Sequence, residues 1–347
     1  MDISLQIQKE FGLKPWQAEN VISLLESGNT IPFIARYRKE ATGSLDDITL
    51  RSFAQRYEYL CSLEEKKQEI IRLISEQDKF TPELESQIQA AEKMSELEDI
   101  YRPYRPKKRT RASIAKERGL EPLALIIKQQ TLESGDIDEI CRPFLNDDVT
   151  DTQVALSGAM DIIAEEISDN ADFRKFIRNY TLRSGAISVA STGKKLPDNE
   201  KGHCETVYEM YADFSEPLSK IANHRILAID RGEREEYLKV KITVDEQPIL
   251  DRLYKSLIAK KRSITSEYVE CAARDAYIRL IKPSIEREIR NEKTVIAQEG
   301  AIKVFSANLS KLLLQPPVKD KIVLGLDPAY RTGCKLAVVD GTGAVLE

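Results

Sequence analysis

Apolar positions recur at helical spacing over most of the chain. In WQAENVISLLES, residues 16–27, they stop at Gly28, a residue suited to a left-handed helix end. Ser44 and Asp47 stand in capping-box spacing, so a long helix is predicted to follow. Its stripe runs through Leu50, Phe53, Tyr57 and Leu60 and resumes at Ile70, Leu73 and Ile74. The polar run EEKKQE at 64–69 interrupts it, which predicts a helix that protrudes or bridges through solvent. Thr81-Pro82-Glu83 restarts a helix with an N-cap, a proline at the first position and an acid at the positive end. Leu84, Ile88 and Ala91 then share a face, completing a helical hairpin. Residues 120–180 read as three or four short helices broken around Gly135 and Pro143.

Two regions leave this pattern. Leu238, Val240, Ile242 and Val244 alternate with Lys239, Lys241 and Thr243, which is strand periodicity. IVLGLD at 322–327 and Lys335 to Val339 form a second β region, with a DGTG turn and a third strand starting at Ala344. Between them, 251–314 is helical with Pro283 at an internal boundary, and Gln315-Pro316-Pro317 reads as a linker. The fold class expected is mainly α, with a small β element near 236–244 and the first strands of an α/β domain at the end. The division expected is 1–200, 201–317 and 318–347.

Composition narrows the chemistry. The chain has 347 residues, about two domains' worth at roughly 150 each. No apolar run approaches the ~18 residues of a membrane span. The start, MDISLQIQKEFG, lacks a signal-peptide layout, so a cytoplasmic protein without membrane contact is expected. The five cysteines, Cys61, Cys141, Cys204, Cys271 and Cys334, lie 63 to 80 residues apart, which excludes paired zinc ligands and fits a reducing compartment. With His203 and His224 as the only histidines, no catalytic centre, metal, cofactor or small-molecule substrate is expected. Net charge is −5, so any polyanion binding must come from a local patch.

Such a patch exists at 101–119, YRPYRPKKRTRASIAKERG. It holds Arg102, Arg105, Lys107, Lys108, Arg109, Arg111, Lys116 and Arg118 against one acid, Glu117. Tyr101 and Tyr104 interleave rings with the cations, and phosphates want clustered cations while bases want ring faces. This makes 101–118 a candidate nucleic-acid contact; the competing reading pairs these cations with acids of neighbouring helices. Arg36, Arg38 and Lys39 could join the patch, although structural salt bridging is the simpler reading for them. At the other end, Asp327 closes a strand as the first carboxylate of an RNase H-like domain does. Two-metal cleavage needs several carboxylates, and the chain stops 20 residues later, so Asp327 is expected to be inactive here.

Five segments together resemble the Tex family of bacterial transcription accessory proteins. They are IPFIARYRKEATGSLDD (31–47), YRPYRPKKRTRASIAKERGLEPLA (101–124), LAIDRGERE (227–235), KPSIEREIR (282–290) and NLSKLLLQPPVKDKIVLGLDPAYRTGCKLAVVD (308–340). Ala329 and Tyr330 depart from the usual Gly-Phe, and Met160 replaces a common Arg. The resemblance implies an elongated helical N-terminal region with a helix-turn-helix-like element, then a YqgF-type RNase H-like domain, tandem helix-hairpin-helix motifs and an S1 domain. It further implies a role in transcription through nucleic acid, with S1 as the main RNA contact. The chain is expected to stop inside the RNase H-like domain, leaving its segment after about 318 poorly ordered or sticky. Residues 151–180 are one candidate for the helix-turn-helix, but Asp161, Glu165, Glu166, Asp169 and Asp172 make it a poor groove binder. The function expected is a non-enzymatic transcription accessory scaffold that binds nucleic acid, RNA before DNA. The alternatives are a protein-interaction scaffold that docks RNA polymerase or another factor without nucleic-acid contact, and a metal-dependent nuclease using Asp327.

Overall fold

The computed structural model describes residues 2–193, 208–259, 263–316, 320–329 and 333–347. Helices begin where the chain supplies a cap. Asp2 accepts from the Leu5 N–H at the start of α1 (Ile3–Phe11), and Thr81 accepts from the Leu84 N–H at the start of α6 (Pro82–Ala90), as predicted. The long helix α5 (Asp47–Ser75) is capped by Asp46, not by Ser44, whose φ of 63° sets it in the turn before the helix. The acid nearest the first turn reaches the Thr49 N–H at 2.7 Å, which leaves Ser44 no capping role.

The chain divides into two compact units, Met1–Ala186 with Ile242–Glu288, and Ile187–Lys241 with Ile289–Glu347. Each unit is built from two stretches of the chain. In the first unit, α5 serves two cores. Its first half packs Leu50, Phe53 and Leu60 with Ile7, Val21 and Ile34, drawn from α1, α2 (Pro15–Glu26) and α3 (Ile31–Tyr37). Its second half packs Leu63, Ile70 and Ile74 with Leu84 and Ile88 of α6 and with Leu97 and Tyr101 of α7 (Met94–Tyr101). The helix therefore does not protrude at 64–69, because Lys67 is fully buried and its Nζ donates to the Gln89 carbonyl at 2.9 Å. A polar residue crosses the core by satisfying a helix-end carbonyl.

A third core is built around α11 (Thr152–Ser168). Ala155, Ala159, Ile162 and Ile163 meet Ala112 and Ala115 of α8 (Arg111–Glu117), Leu123 and Ile127 of α9 (Glu121–Gln129), and Val269, Ala272 and Ala273 farther along the chain. The short α4 (Lys39–Thr42) and α10 (Ile137–Cys141) complete the helices before α12 (Ala171–Ser184). The turn between α11 and α12 is the two-residue step Asp169-Asn170.

In the second unit a three-stranded sheet has the order β2-β1-β3, with β1 Ala186–Ser191, β2 Asp213–Pro217 and β3 Leu238–Thr243. Of these only β3 was legible, since β1 has just Ile187 and Val189 buried in alternation and β2, DFSEP, has a single apolar side chain. The helix α13 (Asn223–Arg234) lies close to the sheet, with Gly232 against Leu238 and Tyr208. Back in the first unit, α14 (Gln247–Leu257), α15 (Ser266–Asp275) and a π-helical turn Ala276–Ile281 lead into α16 (Lys282–Leu313), whose residues from Ile289 belong to the second unit, so Pro283 lies just inside a helix start. The last two strands, β4 (Val323–Asp327) and β5 (Lys335–Val339), pair antiparallel with Asp327 opposite Lys335. The strand expected from Ala344 is reduced to one bridge, Val339 to Val345. Among the described residues no helix is long and apolar enough to cross a membrane, and no three His, Cys, Asp or Glu side chains cluster as metal ligands would. His203 and Cys204 lie outside the described residues.

Candidate nucleic-acid interface

The basic loop leaves α7 through a 3-10 turn, Arg102–Tyr104, and re-enters helix at Thr110, where Thr110 and Ser113 cap each other across the first turn of α8. Its start is tied down by Gln77, whose Nε2 donates to the Tyr104 carbonyl at 2.9 Å. The cations are thus carried on a short bridge between two fixed helix ends.

They fall into two classes. Arg102 pairs with Asp169 at 3.2 Å, while Lys107 pairs with the same carboxylate and with Glu165 at 3.3 Å. Lys116 pairs with Glu121 at 3.0 Å. By contrast Arg105, Lys108, Arg109, Arg111 and Arg118 are exposed and make no ion pair among the described residues. Both readings of the loop are therefore partly realised, on different residues. Of the two rings, the structure removes Tyr101 from the candidate contact and leaves Tyr104 half-buried. Tyr101 is 7% exposed in the second core of α5, and Tyr104 packs against that core, so Tyr101 offers no face for a base.

Beneath the loop a cleft of about 700 Å³ is lined by loop cations together with Glu98, Asp99, Glu165, Asp169 and Glu288. Its floor is a buried charge network. Asp99 accepts from Arg174 and Arg178, Arg178 also binds Glu288, and Arg174 donates to the Ser284 hydroxyl at 3.1 Å. Burial opposes the charge on Arg178, yet its hydrogen bonds to Glu288 and Asp99 raise its pKa. At Arg102 burial wins and, with the nearby Arg174, lowers the pKa; at Asp169 burial raises it against the pull of Lys107 and Arg102. The network fixes α7, and with it the loop's entry point.

Sequence reading missed these residues. The available signal was Arg174, Ile177, Arg178 and Thr181, a stripe at helical spacing on α12 that places two arginines on the buried face. The candidate helix corner at 151–180 likewise turns its acids to use, since Glu165 and Asp169 hold loop cations and Asp161 binds Arg279 at 2.6 Å. Arg36, Arg38 and Lys39 do not form the salt bridges expected: all three are exposed and unpaired among the described residues, with Arg38 lying over the Phe33 ring at 5.3 Å. Asp327 is exposed at the end of β4.

The described residues combine a helical body that carries a cationic loop with a strand pair whose first strand ends at Asp327. Three family models match in order: the Tex-like protein N-terminal domain over residues 1–75, a Tex central region-like model over 133–305 and the Tex protein YqgF-like domain over 321–347. The chain belongs to the Tex family. It is 48% identical over 345 residues to the uncharacterized protein YdcI of Bacillus subtilis, covering 99% of this chain and 47% of that protein. It is 37% identical to the transcriptional accessory protein Tex of Neisseria gonorrhoeae, covering 100% of this chain and 45% of that one. The human S1 RNA-binding domain-containing protein 1 is 30% identical over 99% of this chain and 35% of its own length. The chain thus spans less than half the length of the relatives it matches.

Proposed function

We propose that the chain is the scaffold portion of a transcription accessory protein and contacts single-stranded nucleic acid, RNA first, through Arg105, Lys108, Arg109 and Arg111. The observation that carries this reading is that these four cations are exposed and without ion pairs among the described residues, although acids are plentiful and Arg102, Lys107 and Lys116 have found theirs. Unpaired cations on an anchored loop are pre-organised for phosphate, which lowers the ordering cost of binding. The names of two relatives, a transcriptional accessory protein and an RNA-binding-domain protein, support the same choice of ligand. The proposed role is binding and needs no catalytic group. The second reading is a protein-docking scaffold, with RNA polymerase as the kind of partner, in which the loop's cations only balance acids of the chain, as Arg102, Lys107 and Lys116 do.

Fluorescence anisotropy with labelled single-stranded RNA over a salt series separates these readings. Arg105→Ala/Lys108→Ala/Arg109→Ala should weaken binding and flatten the log–log salt slope by about 0.7 per lost phosphate contact. Asp169→Asn should steepen it by releasing Arg102, while Lys107 keeps its pair with Glu165. An unchanged slope in the triple variant, with the fold intact by circular dichroism, would sink the nucleic-acid reading.

A further inference from the structure

The segment IPFIARYRKEATG, residues 31–43, has no part in the loop or the cleft. Its three cations, Arg36, Arg38 and Lys39, are exposed and unpaired among the described residues, and Glu40 is the one acid between 31 and 43. Two rings lie among them. Tyr37 is 66% exposed, and its ring centroid is 5.3 Å from that of half-buried Phe33. Arg38 sits over Phe33, which fixes a cation beside the open tyrosine.

This group is held rigidly. Ile34 anchors α3 in the first core with no exposure, and Thr30 to Thr42 are stitched to α2 by Gln17 Nε2 donating to the Thr42 carbonyl at 3.0 Å and Asn20 Nδ2 to the Ala41 carbonyl at 2.8 Å. Gly43 permits that approach: its φ is +67°, and a Cβ there would stand 2.4 Å from Gln17 Nε2 and 3.1 Å from the Trp16 ring. Stability has no use for an exposed tyrosine and three unpaired cations kept in one place.

We infer that residues 33–39 form a second single-stranded nucleic-acid site, with a base stacked on Tyr37 and the flanking phosphates held by Arg36, Arg38 and Lys39. The inference rests on the nucleic-acid reading of the chain but on none of the loop's residues. One nucleotide uses both features at once, because its base lays a π-face on a ring while its phosphates meet cations. A carboxylate of an acidic peptide would engage the cations and leave the tyrosine face unused.

Trp16, the chain's only tryptophan, lies against Gly43 at the end of this segment and is 43% exposed, so its emission reports on the segment's surroundings and not on the loop at 101–119. The experiment titrates the chain with an oligouridine RNA and, separately, with polyglutamate, reading tryptophan emission and the anisotropy of labelled RNA together. The expected result is a saturable change in Trp16 emission with RNA. Tyr37→Ala should weaken that binding about fivefold or more, and Tyr37→Phe, which keeps the ring, should bind as the parent does. The Trp16 response should survive in Arg105→Ala/Lys108→Ala/Arg109→Ala. RNA binding seen by anisotropy with silent Trp16 and an unaffected Tyr37→Ala overturns the inference and leaves the loop reading standing. Loss of the loop variant's effect while Tyr37→Ala weakens binding does the reverse. Absence of RNA binding in the parent overturns both, and a response to polyglutamate alone assigns the surface to an acidic protein.

Discussion

Asp99 is the residue whose removal tests the architecture beneath the loop most directly. It is 5% exposed and shared by two guanidinium groups, of which Arg174 is 3% exposed and Arg178 8%. Replacing it by asparagine keeps the volume and removes the charge. Arg178 then retains both oxygens of Glu288, whereas Arg174 retains the Ser284 hydroxyl, and its Nη1 already has no partner among the described residues. Breaking one partner of a buried pair costs about 3–5 kcal/mol, because the remaining charge cannot return to water. The retained Glu288 contact places Asp99→Asn near the lower end, about 3 kcal/mol. For a unit of roughly 150–250 residues each kcal/mol moves the melting midpoint ~2–4 °C, so a fall of ~6–12 °C is expected in a far-ultraviolet circular dichroism melt. High salt should not shrink the loss, since buried pairs are screened little. Arg174→Met combined with Asp99→Asn should cost less than the two changes added together, as neighbours in one network do. A loss under about 1 kcal/mol, or strict additivity, refutes the account of the network.

Two further outcomes follow from packing. Gly232→Ala places a Cβ 2.5 Å from Leu238 Cδ1 and 2.9 Å from the Tyr208 ring, so it should destabilise the second unit by ~1–2 kcal/mol in a urea melt, overpacking outweighing the ~1 kcal/mol gain in helix propensity. Cys141 is fully buried and burial pushes its thiol up to about 11 from 9.0. Its folded pKa exceeds the unfolded one, so its contribution to stability is whole below pH 9.0 and is lost as pH rises toward about 11. In a disulfide-exchange titration at neutral pH, exposed Cys271 and Cys334 should react at once and Cys141 only on unfolding; rapid native reaction at Cys141 would contradict its burial.

What the sequence determined by itself was the family, the helical class, the hairpin capped at Thr81, the strand from Leu238 and the location of the cationic loop. Each of these is a local signal: a period, a cap, a run of like charges or a set of quoted segments in order. The tertiary structure decided which charges are spent. Nothing in YRPYRPKKRTRAS distinguishes Lys107, which Asp169 and Glu165 occupy, from Lys108, which has no such partner, because those acids arrive from 58 or more residues away in sequence. The same holds for Tyr101, a ring among cations in the sequence but a core side chain once Leu97 and Ile70 close on it. It holds in the opposite sense for Arg36, Arg38 and Lys39, which the fold leaves open. Local pattern fixes where a helix runs and what it carries, and long-range packing fixes which of those groups remain available to a ligand.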